Sequence, residues 1–216
     1  MITVWGEGRG FRVVWLLEEM GLDYRLRDVD LLAGVENDAE FLAVNPSGFI
    51  PAITDGEVTM VESVAIMEYL LARHGPSQLA PLPGAPEYPA YLQFLHMGEA
   101  GLMGSSYWLS NALRYPTEAE RNNPTVRHAR YQYQSRLKLV ARQLEKKPYV
   151  AGESFTAADI SVAYAIEHAE MASAIPPGEI DGEYLNRIRT RDGYKRALDG
   201  CPAIKAWFER VRAERT

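Results

Sequence analysis

Along the first 75 residues the spacing of apolar positions changes period repeatedly, and each change marks a new element. Residues 2–4 are short and β-branched, as a buried strand requires. A glycine-rich turn follows, Gly6-Glu7-Gly8-Arg9-Gly10. Val13, Leu16, Leu17 and Met20 then recur at i, i+3, i+4 and i+7, which predicts one face of a helix, with Gly21 where a C-terminal cap belongs. Residues 24–29 alternate loosely between charged and uncharged side chains, as a half-buried strand does. Residues 38–44 read as a short helix stopped by Asn45-Pro46, and 52–54 and 58–60 flank Asp55-Gly56, a strong hairpin signal. A helix over 64–74 closes the segment, with Met67 and Leu71 on one stripe and Ile66 and Leu70 beside it.

The order is β-α-β, a short helix, then β-β-α. A parallel pair followed by an antiparallel hairpin is the thioredoxin-like arrangement of elements. Residues 75–89 hold prolines at 76, 81, 83, 86 and 89, which continue neither a helix nor a ladder. This stretch is read as a linker over 76–89, between a domain at 1–75 and an all-helical domain at 90–216. In the latter, residues 89–113 form one long amphipathic stretch broken at Tyr115-Pro116. Val126, Tyr133, Leu137, Val140 and Leu144 stripe a second helix, and Ile204, Trp207, Phe208 and Val211 repeat i, i+3, i+4, i+7 near the end. Thr156 and Asp159 have the spacing of a reciprocal capping box, with Phe155 and Ile160 at the staple positions around it.

Composition narrows the function classes. The 216 residues are 47% apolar and 24% charged, enough for two domains with cores that need neither disulfide nor metal. One cysteine, Cys201, rules out an intramolecular disulfide, a CxxC redox pair and a cysteine-based zinc site. His74, His96, His128 and His168 lack metal-ligand spacing, so no metal site is expected. Residues 1–75 carry 5 basic and 13 acidic side chains, net −8, whereas 76–216 carry 18 and 16, net +2. An acidic domain beside a near-neutral one excludes nucleic-acid binding, which needs clustered Lys and Arg. No stretch reaches the roughly 20 apolar residues of a membrane span, and the N-terminal residues do not read as a signal peptide. A cytoplasmic protein is the expectation.

Three segments together resemble the glutathione S-transferase family of the bacterial soluble kind: Trp15-Leu-Leu-Glu-Glu-Met-Gly-Leu22, Asn45-Pro-Ser-Gly-Phe-Ile-Pro-Ala52 and Val61-Glu-Ser-Val-Ala-Ile-Met-Glu-Tyr-Leu70. The Thr156–Asp159 box matches the family's cap in its helical domain. The resemblance implies a thioredoxin-like N-terminal domain that holds glutathione as co-substrate, an all-helical C-terminal domain and a homodimer. It also implies conjugation of the glutathione thiolate to a small hydrophobic electrophile, as in detoxification. Ser63 opens a helix whose unpaired amides suit the γ-glutamyl carboxylate, and Glu62 supplies the charge for the ammonium. Plain helix capping is the alternative for this pair. Ile50-Pro51 is implied to hold a cis peptide, leaving the Ile50 backbone to pair strand-like with the cysteinyl part; an ordinary trans proline is the alternative.

The chain also departs from the family. Members activate the thiol with a Ser, Tyr or Cys near the end of the first strand, and here the turn offers Gly8-Arg9-Gly10-Phe11 without hydroxyl or thiol. Three substitutes stay open: the backbone amides of Gly10 and Phe11, the Arg9 guanidinium, or a hydroxyl lent by Tyr107 or Tyr115. Phe49 stands where members often hold the glycyl carboxylate with Lys or Arg, and Arg9 and Arg12 are the nearest basic candidates. The electrophile is expected against the first long helix of the helical domain, at Met103, Tyr107, Trp108 and Asn111, with core packing as the alternative for each. A non-catalytic glutathione-binding or scaffold protein is the competing function.

Overall fold

The computed structural model describes residues 1–31 and 33–213. By packing they form two compact units, residues 1–77 with 190–213, and residues 78–189.

In the first unit, β1 (Ile2–Trp5), α1 (Gly10–Met20) and β2 (Tyr24–Arg27) make a parallel pair joined by a helix. After α2 (Ala39–Val44) the chain returns through β3 (Ala52–Asp55) and β4 (Val58–Val61) to α3 (Ser63–His74). The sheet order is β2-β1-β3-β4, parallel between β1 and β2 and antiparallel elsewhere, so this is the thioredoxin-like arrangement. Val4 sits opposite Leu26 on one side and Ile53 on the other, which centres the apolar strand. The hairpin turns one residue later than the Asp-Gly signal reads, over Gly56-Glu57. Asp55 stays in β3, and its carboxylate accepts from Tyr69 Oη at 3.1 Å and lies 2.8 Å from His74 Nε2 on α3.

The sequence pattern gives α1 a single apolar face, yet every residue from Gly10 to Leu17 is buried, Arg12 included. The second cover is α10 (Asp192–Gly200). Tyr194 meets Trp15 edge-on at 5.0 Å and Phe11 at 5.7 Å, Arg191 grips Glu19 through two bonds of 2.8 and 2.7 Å, and Arg196 donates to Glu18 at 2.7 Å. The last helix, α11 (Pro202–Ala213), is anchored from the glycine-rich turn: the buried Glu7 carboxylate accepts the Ala203 and Ile204 amides at 3.2 and 2.8 Å. These are first-turn donors with no intrahelical acceptor, the natural place for a carboxylate.

In the second unit, α4 (Tyr88–His96), a π-helical turn (Met97–Met103) and α5 (Gly104–Ala112) run on without a break, where the pattern predicts one regular helix. The turn's glycines admit neighbours: Gly98 faces the backbone of Ser161, and Gly101 the side chain of Arg136. After α6 (Glu118–Arg121), the long α7 (Pro124–Leu144) is capped by Asn123, whose side chain accepts from Val126 N at 3.1 Å. The central helix is α8 (Ala157–Ser173), buried at every residue from Ala157 to Glu167 because α4, the π turn and α5 enclose it. The expected capping box starts it, with the Thr156 amide donating to Asp159 Oδ2 at 2.9 Å and both staple residues, Phe155 and Ile160, buried. Finally, α9 (Glu179–Arg189) packs on α7 and α8. No helix among the described residues is long and apolar enough to cross a membrane.

Buried carboxylates make stability depend on pH. Burial raises Glu7, Asp159 and Asp181, with Asp159 pushed up to about 6 from an ordinary 3.8 despite its hydrogen bonds. A carboxyl that binds its proton more tightly in the native chain loses stability as pH climbs from the unfolded to the folded value. For Asp159 that is about 3 kcal/mol, lost between about pH 4 and pH 6. Asp38 (beside Arg27) and Asp55 (beside His74) are held low, so their contribution disappears only as pH falls below about 4. Urea midpoints are therefore expected to fall from pH 4.5 to pH 7. Midpoints rising over that interval would show that the donors around Asp159 keep it ionised in the native state.

Candidate functional site

The glycine-rich turn and the Ile50–Pro51 segment touch. Gly6 and Gly8 hold φ of 82° and 58°, a region that glycine enters without steric cost. A Cβ on Gly6 would lie 2.3 Å from Ile50 Cγ2, and one on Gly10 would lie 3.3 Å from Pro51 Cβ. The Ile50–Pro51 peptide is cis, and Ile50 lies outside the β3 ladder. Buried Asn45 shapes the loop before it, donating from Nδ2 to Phe49 O at 2.6 Å and accepting from Ser47 N at 3.1 Å and Ser47 Oγ at 2.6 Å. This is the local reason for Asn in the Asn-Pro-Ser-Gly run, an Asx turn that aims the following residues. Phe49 itself is 78% exposed.

Glu62 precedes α3 with φ 71° and ψ 103°, a conformation that costs a non-glycine residue about 1–3 kcal/mol. Its side chain is exposed, while Ser63, the first helical residue, is buried. Arg12 Nη1 donates to Ser63 Oγ at 3.1 Å, and Arg12 is wholly buried. A fixed guanidinium therefore lies beside the positive end of α3, and both favour an anion at that terminus.

Two of the three thiol-activation candidates, the Gly10 and Phe11 amides and Arg9, occupy the start of α1, whereas Tyr107 is on α5 and Tyr115 is exposed just after it. The Gly10 amide donates to Glu7 O at 2.9 Å and the Phe11 amide to Gly8 O at 3.1 Å, so both already close turns. Phe11 is buried against Tyr194, and Arg9 is the residue before α1. Of the candidates on the helical unit, Met103 is buried at 2% exposure, Tyr107 and Trp108 are exposed at 47% and 57%, and Asn111 is half-buried. Cys201 is buried, and burial pushes its thiol up, so it holds no ready thiolate.

The partners of three residues lay outside what sequence reasoning could read. Glu7 reads as one charged member of a glycine turn, yet it caps a helix almost two hundred residues later. Arg12 reads as one of the nearest basic residues to the Phe49 segment, and the structure sets it against Ser63 at the start of α3. Its signal was visible: an arginine amid the apolar residues of α1 is buried only with a polar partner. Asn45 signals a turn but not its bond to the Phe49 carbonyl.

Comparison with known proteins agrees with this geometry. The glutathione S-transferase N-terminal domain model matches residues 2–72, and the C-terminal domain model of the same family matches residues 123–210. Among curated relatives, glutathione S-transferase 3 of Schizosaccharomyces pombe is 30% identical, covering 75% of this chain and 71% of its own. Disulfide-bond oxidoreductase YfcG of Escherichia coli is 32% identical over 94% and 86%. Among solved structures, the theta class glutathione S-transferase of Xanthomonas axonopodis pv. citri, with glutathione bound, superposes with a TM-score of 0.75 at 27% identity, covering 91% of this chain and 96% of that one. With both domain models matched in order, and the turn, the cis proline and the α3 terminus gathered in one unit, the chain belongs to the glutathione S-transferase family.

Proposed function

We propose that the protein conjugates glutathione to a small hydrophobic electrophile, working as a cytoplasmic homodimer. The observation that carries this reading is the gathering in one unit of cis Ile50–Pro51, the glycine turn against it, and Glu62-Ser63 at the start of α3. The γ-glutamyl carboxylate accepts from the Ser63 amide and hydroxyl, in the field of α3 and of Arg12. Glu62 faces the ammonium, and its left-handed backbone conformation is consistent with a position set for binding. The Ile50 backbone takes the cysteinyl part, and Phe49 flanks the glycyl end without an ion pair.

The bound thiol gives up its proton to solvent water, and the sulfur pair forms the new C–S bond while the electrophile's leaving group departs with its bonding pair. A free thiol has a pKa near 8.5, so stabilising the thiolate is the protein's main chemical task. Because the Gly10 and Phe11 amides already serve the carbonyls of Glu7 and Gly8, a sulfur would have to share them. Arg9, one residue earlier, is therefore the preferred source of positive charge. Tyr107 and Trp108 supply the aromatic wall for the electrophile, with Asn111 as its polar member and Met103, which is buried, also on this stretch. Exposed Phe49 gives the homodimer an apolar side chain to cover.

A titration with glutathione across pH, followed by thiolate ultraviolet absorbance, tests the reading. The bound thiol is expected to titrate below the free value, with Arg9→Ala bringing it back up. Glu62→Ala is expected to weaken glutathione about 30-fold, the loss of one charge-assisted contact worth roughly 2 kcal/mol. The turn's lack of hydroxyl or thiol favours a second reading, a non-catalytic glutathione carrier. Tight binding with an unshifted thiol would select it, and no binding at all would remove both.

A further inference from the structure

A groove of about 400 Å³ lies wholly within the helical unit, away from every residue assigned to glutathione. Gln134, Leu137, Lys138 and Ala141 line it from one face of α7, and Asp181 lines it from α9. The volume falls within the range of small-molecule sites. Gln134 and Lys138 are exposed and form an adjustable rim, while Leu137 and Ala141 are half-buried.

Asp181 is the unusual member. It is 4% exposed, and its carboxylate accepts from the Gly178 amide three residues earlier, an ordinary service at a helix start. That bond leaves Oδ1 buried with no hydrogen-bond partner. Buried carboxylate oxygens are rarely left so, because the desolvation cost goes uncompensated. The charge is felt inside the unit: the buried Tyr133 phenol is pushed up first by burial and then by Asp181 and Glu170. The site thus presents an acceptor lacking a donor, a lysine on the same face of α7 as the other lining residues, and an apolar strip between them.

We propose that this groove binds a small zwitterion of the apolar amino-acid type. The ligand's ammonium donates to Asp181 Oδ1, its carboxylate pairs with Lys138 and the Gln134 amide, and its side chain lies along Leu137 and Ala141. A simple cation is disfavoured by Lys138, and a simple anion by Asp181. The assignment stands independently of the transferase reading, since it uses none of that site's residues.

Calorimetric titration of the full chain with L-leucine, in the absence of glutathione, tests it. One leucine per chain is expected, with 3-methylbutylamine and N-acetyl-leucine at least ten-fold weaker. Asp181→Asn, which keeps an acceptor for Gly178, is expected to abolish binding. Lys138→Ala should weaken it about ten-fold, and Ala141→Phe should block the groove with an unchanged melting curve. Glu62→Ala should leave leucine binding as it was. Absence of leucine binding would overturn the proposal and leave Asp181 as a helix cap. Binding that survives Ala141→Phe, or an amine that binds as tightly as leucine, would overturn it equally.

Discussion

Replacing Asp159 with alanine is expected to destabilise the protein by about 4 kcal/mol, enough to unfold much of the helical unit near body temperature. Asp159 is fully buried, and donors reach both of its oxygens. Oδ1 accepts from Val150 N at 2.9 Å and Tyr184 Oη at 3.0 Å, and Oδ2 from Thr156 N at 2.9 Å and Thr156 Oγ1 at 3.2 Å. One carboxylate thereby ties the loop before α8, the start of α8 and the side of α9 into one piece. Alanine strands these donors, each worth about 1–3 kcal/mol when left buried and unpaired. Partial entry of water keeps the total below their sum. Thr156→Ala and Tyr184→Phe should each cost only about 1 kcal/mol, because each leaves the carboxylate its other partners. Urea unfolding followed by far-ultraviolet circular dichroism measures all three. A loss of under about 1 kcal/mol for Asp159→Ala would reduce the residue to an ordinary helix cap.

A comparable effect, about 3 kcal/mol of destabilisation, is expected from the single methyl group added by Gly98→Ala. An alanine Cβ there would lie 2.2 Å from Ser161 Oγ and 2.5 and 2.6 Å from the Ser161 backbone carbon and oxygen. Backbone cannot rotate away as a side chain can, and α8 is enclosed along this stretch. The helices must part, and the buried bond from Ser161 Oγ to Leu95 O at 2.7 Å goes with them. Gly104→Ala is the control, because its Cβ would come no closer than 3.7 Å to anything, namely Glu99 O. Helix propensity alone should make that variant neutral to about 1 kcal/mol more stable. Thermal melts of the two variants distinguish a packing constraint at Gly98 from a general intolerance of alanine along the stretch from the π turn into α5, which would lower both.

The sequence by itself determined the elements whose cause is local. The i, i+3, i+4 stripes placed α1, α3 and α7, and the Asp-Gly signal placed the β3–β4 hairpin to within one residue. The Thr156–Asp159 spacing marked the start of α8, since a capping box acts over three residues. Ile50-Pro51 and Glu62-Ser63 stood out through the resemblance of their segments to the family, and the cis bond is present at the first and the α3 start at the second. The tertiary structure decided everything whose partner is distant. It set Arg12 beneath Ser63, turned Glu7 from a turn residue into the cap of α11, and covered the second face of α1 with Tyr194. It converted the Asp159 cap into a buried junction through Val150 and Tyr184. Residues 190–213 also gather with residues 1–77, although their own pattern reads as helical. The physical reason is common to all of these. Hydrogen-bond periodicity and capping act within a few residues of chain, whereas burial, and the pairing that burial demands of Arg12, Glu7 and Asp159, depends on which elements come together in space.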